Sequence, residues 1–181
     1  MQRSIFVDKD KCTGCYACIV ACKLEHGLAP YPVEPPVAVP DGPDLIRVYQ
    51  VGPDIHDDVV INYFQPISCM HCFEAPCIKA CPRSAIYKDA ETGVTLVDDS
   101  RCIGCKFCLW VCPYGAPQFY DGKLVLCDLC IHRIAEGRPK GRQTACEATC
   151  QARAIHIGTT DEIAALKGKK SAERLADTVD L

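Results

Sequence analysis

The chain has 181 residues, 16 of them cysteine, and a formal net charge of −3. Its 49% hydrophobic fraction includes those cysteines and aromatics make up only 7%, so a large apolar core is excluded and something besides apolar packing must hold the fold. With no basic cluster it is not a nucleic-acid binder, and the composition is neither collagen-like nor low-complexity.

Residues 5–7 form a short apolar run followed by Asp8 and Lys9, too short for a signal-peptide core. No apolar stretch approaches the ~20 residues of a spanning helix. By its own sequence the chain is expected in the cytoplasm, unless it is exported bound to a partner that carries a signal. The first cysteine group follows: Cys12, Cys15, Cys18 and Cys22, spaced C-x2-C-x2-C-x3-C. Residues 23–68 hold 8 of the 13 prolines and no cysteine. Pro30, Pro32, Pro35, Pro36, Pro40 and Pro43 make this stretch extended. Residues 45–51 and 59–64 then read as two strands joined through 52–58. The stretch is either a surface insertion that docks a partner or a connector.

The second group is Cys69, Cys72, Cys77 and Cys81, spaced C-x2-C-x4-C-x3-C and followed by Pro82. His71 lies inside it and reads as a hydrogen-bonding neighbour of the site, not a ligand. The third group is Cys102, Cys105, Cys108 and Cys112, with the spacing of the first and Pro113 next. Arg101 and Lys106 sit where positive charge would raise the potential of a bound redox group. Trp110 reads as a packing residue. The fourth group is Cys127, Cys130, Cys146 and Cys150, its middle gap grown to 15 residues. Short strands are expected at 5–7, 85–87, 94–97, 124–126 and 154–157. Gly14 and Gly104 occupy C-x-G-C turns where backbone must come close. In the tail, Thr159 and Glu162 have capping-box spacing, Ile163 and Leu166 suit one helix face, and 167–170 reads as solvated.

Without a signal peptide a disulfide framework is disfavoured. The spacing C-x2-C-x2-C-x3-C-P is the bacterial ferredoxin pattern, in which three cysteines of a group hold one [4Fe-4S] cluster and the fourth serves the other cluster of a pair. Structural zinc uses C-x2-C pairs but rarely this triple. The chain also repeats itself: residues 7–15 match 97–105, and Ala80-Cys81-Pro82-Arg83-Ser84-Ala85-Ile86 echoes Thr149-Cys150-Gln151-Ala152-Arg153-Ala154-Ile155. The expected fold is α+β, with two tandem bacterial-type 2[4Fe-4S] ferredoxin-like units and a proline-rich, β-hairpin insertion. Groups two and three are close and both end in Cys-Pro, so they pair, as Cys69, Cys72, Cys77 with Cys112 and Cys102, Cys105, Cys108 with Cys81. Groups one and four remain, as Cys12, Cys15, Cys18 with Cys150 and Cys127, Cys130, Cys146 with Cys22. The rival pairs group one with two and three with four. The expected division is 1–22 with 123–158 as one unit, 60–122 as the other, 23–59 as insertion and 159–181 as helical tail. Four oxidised clusters would take the formal charge from −3 to about −11.

Cys102-Ile103-Gly104-Cys105-Lys106-Phe107-Cys108, leading into Cys112-Pro113-Tyr114-Gly115-Ala116-Pro117, with Cys127-Asp128-Leu129-Cys130 and Cys146, resembles the iron-sulfur electron-transfer subunits of the dimethyl sulfoxide reductase family. The resemblance spans roughly residues 4–158. It implies a non-catalytic subunit that relays electrons between a large molybdenum- or tungsten-pterin subunit and a quinone-linked membrane subunit or soluble carrier. The alternatives are a freestanding polyferredoxin or hydrogenase-linked carrier and, in another class, a zinc-stabilised interaction module.

Overall fold

The computed structural model describes residues 2–28, 43–56, 59–134 and 143–179. Pro30, Pro32, Pro35, Pro36 and Pro40, most of the proline-rich stretch, lie outside the described residues. In chain order the elements are β1 (Arg3–Val7), α1 (Ala17–Glu25), β2 (Ile46–His56), β3 (Val59–Ser68), α2 (Pro76–Lys79), β4 (Ile86–Lys88), β5 (Thr95–Val97), α3 (Phe107–Val111), β6 (Gln118–Tyr120), β7 (Lys123–Val125), α4 (Ile131–Ile134), α5 (Ala145–Thr149), β8 (Ile155–Thr159) and α6 (Thr160–Val179). The strands form four two-stranded antiparallel sheets.

The internal repeat of the sequence becomes a repeat of hydrogen bonds. β1 pairs with β8, Val7 opposite Ile155, and β5 pairs with β4, Val97 opposite Ile86. Asp8 N–H donates to the Ala154 carbonyl and Asp98 N–H to the Ala85 carbonyl, both at 2.7 Å. Each aspartate side chain also accepts a backbone N–H two residues on, from Asp10 at 3.1 Å and Ser100 at 3.0 Å. These Asx turns bend the chain from strand into cysteine loop. The two strand pairs therefore enter the first and third groups alike.

A second correspondence was not visible in the sequence. The β2–β3 hairpin follows group one, and the β6–β7 hairpin follows group three. Opposed residues on each hairpin cover the preceding cysteine loop: Val48 faces Pro66 on the first, Phe119 faces Leu124 on the second. So residues 46–68 do what the shorter hairpin does in the other half. Both strands also run longer than the sequence pattern indicates, and β6 was missed.

The core is thin and threaded with sulfur. The largest buried set joins Ile5, Leu45, Ile46, Val94, Leu129 and Ile155 to Cys18, Cys22 and Cys146. A second sets Ala85, Ile86 and Leu124 around Cys102 and Cys108, and a third sets Ala116 and Leu126 beside Cys69.

The tail helix α6 begins with the expected reciprocal cap: Glu162 N–H donates to Thr159 Oγ1 at 3.3 Å, and Thr159 N–H to Glu162 Oε2 at 2.7 Å. It packs on β1 and β8 of this chain. The reading of 167–170 as solvated is corrected at Lys170, which pairs with buried Asp8 and lies 2.8 Å from Asp10; Arg174 also pairs with Asp10. Burial pushes the Asp8 carboxyl up, but the hydrogen bonds from Lys170 and the Asp10 N–H outweigh it and hold it below the usual value. That contribution is complete above about pH 4 and fades as pH falls through the lowered value. Lys170→Ala should destabilise the holoprotein by about 1–2 kcal/mol, since it leaves a buried carboxylate without its cation. Arg174→Ala, on exposed Asp10, should cost under about 1 kcal/mol. Anaerobic thermal melts compare the two; an unchanged Lys170→Ala melt would mean that α6 rests on β1 without being held there.

Candidate metal centres

Two hollows have matching walls. Cys12, Cys15, Cys18 and Cys150 line one, under Val48 and Pro66. Cys81, Cys102, Cys105 and Cys108 line the other, under Phe119 and Leu124. Gly14 and Gly104 sit in these loops at φ +67 and +66. A Cβ at Gly14 would meet the Phe64 ring at 2.5 Å, and one at Gly104 the Gly122 carbonyl oxygen at 2.3 Å. Glycine is needed because the turn is left-handed and because the covering hairpin comes close.

Backbone N–H groups face the sulfurs. Ala85 N–H donates to Cys81 Sγ and Ala154 N–H to Cys150 Sγ, each at 3.2 Å. Ala116 N–H reaches Cys112 Sγ at 3.4 Å. Left-handed Ser84 and Arg153, at φ 46 and 49, turn the chain so that the following amide points back. Cys150 achieves this without the proline that follows Cys81 and Cys112. Cys22 does not: α1 continues past it, and His26 N–H bonds the Cys22 carbonyl at 3.1 Å instead. The His26 ring stands there, its Nδ1 2.9 Å from the Cys22 carbonyl oxygen and 3.7 Å from Cys22 Sγ.

The other cysteines gather in two further sets. Cys22 and Cys146 share the largest buried set with Cys127 and Cys150 packed against it, and Cys112 and Cys127 pack against the set that holds Cys69. Thr144, fully buried, caps α5 by accepting Glu147 N–H at 3.4 Å and so aims Cys146 inward. Burial pushes the thiols up: Cys18 and Cys69 to about 12, Cys108 and Cys146 to about 11, and Cys127 well above its ordinary value. Cys81 moves the other way. Burial raises it, but N–H groups of Ala85, Arg83 and Ile86 and the charge of Arg101 prevail. The thiols that burial raises suit a soft metal centre that displaces their protons.

Cys18 and Cys146 share one buried set, Cys127 packs against the set that holds Cys69, and Cys77 packs against the set that holds Cys108. Cys15 and Cys105, one in each hollow, are exposed.

His71 is 1% exposed, with Nδ1 accepting Thr95 N–H at 3.0 Å. Burial, and then the Lys88 charge, lower it to about 4. It is therefore neutral with the proton on Nε2, and that N–H has no partner among the described residues. Two features were missed. One is a histidine–carboxylate pair: His26 Nε2 lies 2.9 Å from Asp128 Oδ1, which also accepts Cys130 N–H at 2.8 Å, and His132 stands edge-on to His26. The hydrogen bond to Asp128, and then those to Cys130 and Cys22, hold His26 well above its ordinary value. The signal available was His26 one helical turn after Cys22. The other is Trp110, which does not pack: it is 84% exposed, on α3 beside exposed Phe107.

Residues 60–160 match the family described as 4Fe-4S dicluster domain, and residues 3–24 match 4Fe-4S binding domain. Over 171 residues the sequence is 36% identical to an anaerobic dimethyl sulfoxide reductase chain of Escherichia coli (strain K12), covering 90% of this protein and 76% of the relative. It is 38% identical to a sulfite dehydrogenase subunit of Allochromatium vinosum, covering 87% and 68%. It is 33% identical to the thiosulfate reductase electron transfer subunit PhsB of Salmonella typhi, covering 86% and 74%. With both cysteine-loop halves and most of its length matched in this way, the protein belongs to this family of [4Fe-4S] electron-transfer subunits of oxidoreductase complexes.

Proposed function

We propose that the chain holds four [4Fe-4S] clusters in its four cysteine sets, and passes single electrons along them between a molybdenum- or tungsten-pterin catalytic subunit and a second redox partner, a quinone-linked membrane subunit or a soluble carrier. The observation that carries this is packing that links Cys18 with Cys146, Cys127 with Cys69 and Cys77 with Cys108, with exposed Cys15 and Cys105 in the two outer loops; it supports a single row of four sets. Sixteen soft ligands in fours, amides directed at their sulfurs and the unpartnered His71 N–H all suit a sulfide-bearing group. Each cluster, when bound, supplies a one-electron couple. The protein's part is to hold neighbouring sets in contact, so that a long transfer becomes short steps, and to keep water from the interior ones. No helix of the described residues is long and apolar enough to cross a membrane, so a membrane quinone would be reached through another subunit. The exposed apolar residues Ile103, Phe107 and Trp110 beside Cys105 supply one docking face.

Anaerobic native purification with metal analysis and mass spectrometry tests this. The expected result is about 16 Fe per chain and a co-purifying large subunit with pterin and molybdenum or tungsten. Zinc in place of iron would overturn the cluster assignment. An iron-replete chain that never associates with a pterin subunit would point to a freestanding carrier.

A further inference from the structure

The two ends of the row are built from the same repeat, so their differences are informative. Cys12 corresponds to Cys102, Cys150 to Cys81, Ala154 to Ala85 and Val48 to Phe119. In the third-group site, Leu124 N–H points out of the hairpin and donates to Cys102 Sγ at 3.4 Å. The residue at the same place over the first group is Pro66, opposed to Val48 as Leu124 is opposed to Phe119. Proline has no N–H. Among the described residues no hydrogen bond to Cys12 Sγ takes its place.

We propose that Pro66 withholds from the first-group site the N–H···S bond that Leu124 gives the third-group site, and so sets a potential difference between the two terminal clusters. This rests on the four-cluster reading. One-electron reduction adds a negative charge that the thiolates share. An N–H aimed at a ligand sulfur stabilises the reduced form more than the oxidised one, and raises the potential. The terminal cluster under Leu124 therefore holds an electron more readily than the one under Pro66. A second difference has the same sign: Lys106 lines the Leu124 site where Tyr16 lines the other. Neither Pro66 nor Leu124 directs an amide into its ladder, so the hairpin keeps its register with or without the donor.

The test is a redox titration of anaerobic holoprotein followed by electron paramagnetic resonance, with exchangeable-deuteron couplings measured at the reduced clusters. Pro66→Leu should raise one midpoint, changing that cluster's reduced-to-oxidised ratio about fivefold at fixed ambient potential, and should add an exchangeable coupling to its signal. Leu124→Pro should lower a different midpoint by a similar factor and remove a coupling. Leu124→Ala, which keeps the amide, should retain the coupling. Iron content keeps the two readings apart. About 16 Fe per chain with unmoved midpoints and couplings in both Pro66→Leu and Leu124→Pro would overturn this proposal alone. Wild type with fewer clusters would overturn the reading beneath it. If Leu124→Pro does not fold, Pro66→Leu alone decides.

Discussion

Removing the iron should unfold the protein, not leave an empty scaffold. Stripped anaerobically with a chelator, the chain should lose most of its far-ultraviolet circular dichroism and become sensitive to protease at its cysteine loops. The local structure gives this prediction its size. Helices α2, α3 and α5 have four or five residues each, far below the length at which a helix stands alone. The β4–β5 and β6–β7 sheets pair three residues per strand, and an isolated two-stranded sheet is marginal. Tertiary packing must supply the stability, yet each buried apolar set closes around cysteines. With metal absent, the buried thiols become protonated spectators around a void, and the binding free energy that had been folding free energy is gone. Only the β2–β3 hairpin and α6 are long enough to persist in part. Near-native dichroism after complete iron removal would show that apolar packing suffices after all.

What could be read from the sequence follows the range of the interactions concerned. The cysteine spacings, the duplicated strands and the Thr159–Glu162 cap depend on residues a few positions apart, or on two copies of one pattern. Spacing and self-comparison recover these. The role of 46–68 was hidden because its counterpart, 118–125, is much shorter; only the placement of Val48 with Pro66 and Phe119 with Leu124 over equivalent loops reveals the match. His26 with Asp128 and Lys170 with Asp8 join residues more than a hundred positions apart, and no local pattern announces them. Trp110 failed for another reason. An apolar residue on a short helix is ordinarily buried, but α3 turns Cys108 toward the site and leaves Trp110 outside. Large exposed aromatics beside a redox site belong to the assembly, not to the isolated chain.

The exchange of fourth cysteines between groups makes the sharpest demand on iron content. Cys69→Ala and Cys112→Ala should each remove one cluster, leaving about 12 Fe per chain. The double variant should also hold about 12, because both residues serve the same cluster and the second loss removes nothing more. If each group held its own cluster, the double variant would fall to about 8. The same logic separates the two ways of pairing groups. Cys12→Ala with Cys150→Ala should leave about 12 Fe, and Cys12→Ala with Cys81→Ala about 8, since the latter pair strikes both ends of the row. Pairing of group one with group two would reverse these values. Cys12 and Cys150 share the walls of one hollow, and Cys81 lines the other with Cys102. The proposed exchange has a local basis: α2, α3 and α5 each carry the third cysteine on the helix and leave the fourth at or beyond its end. There Ala85, Ala116 and Ala154 hold that sulfur with their amides, so on the proposed assignment it would serve the neighbouring group's cluster.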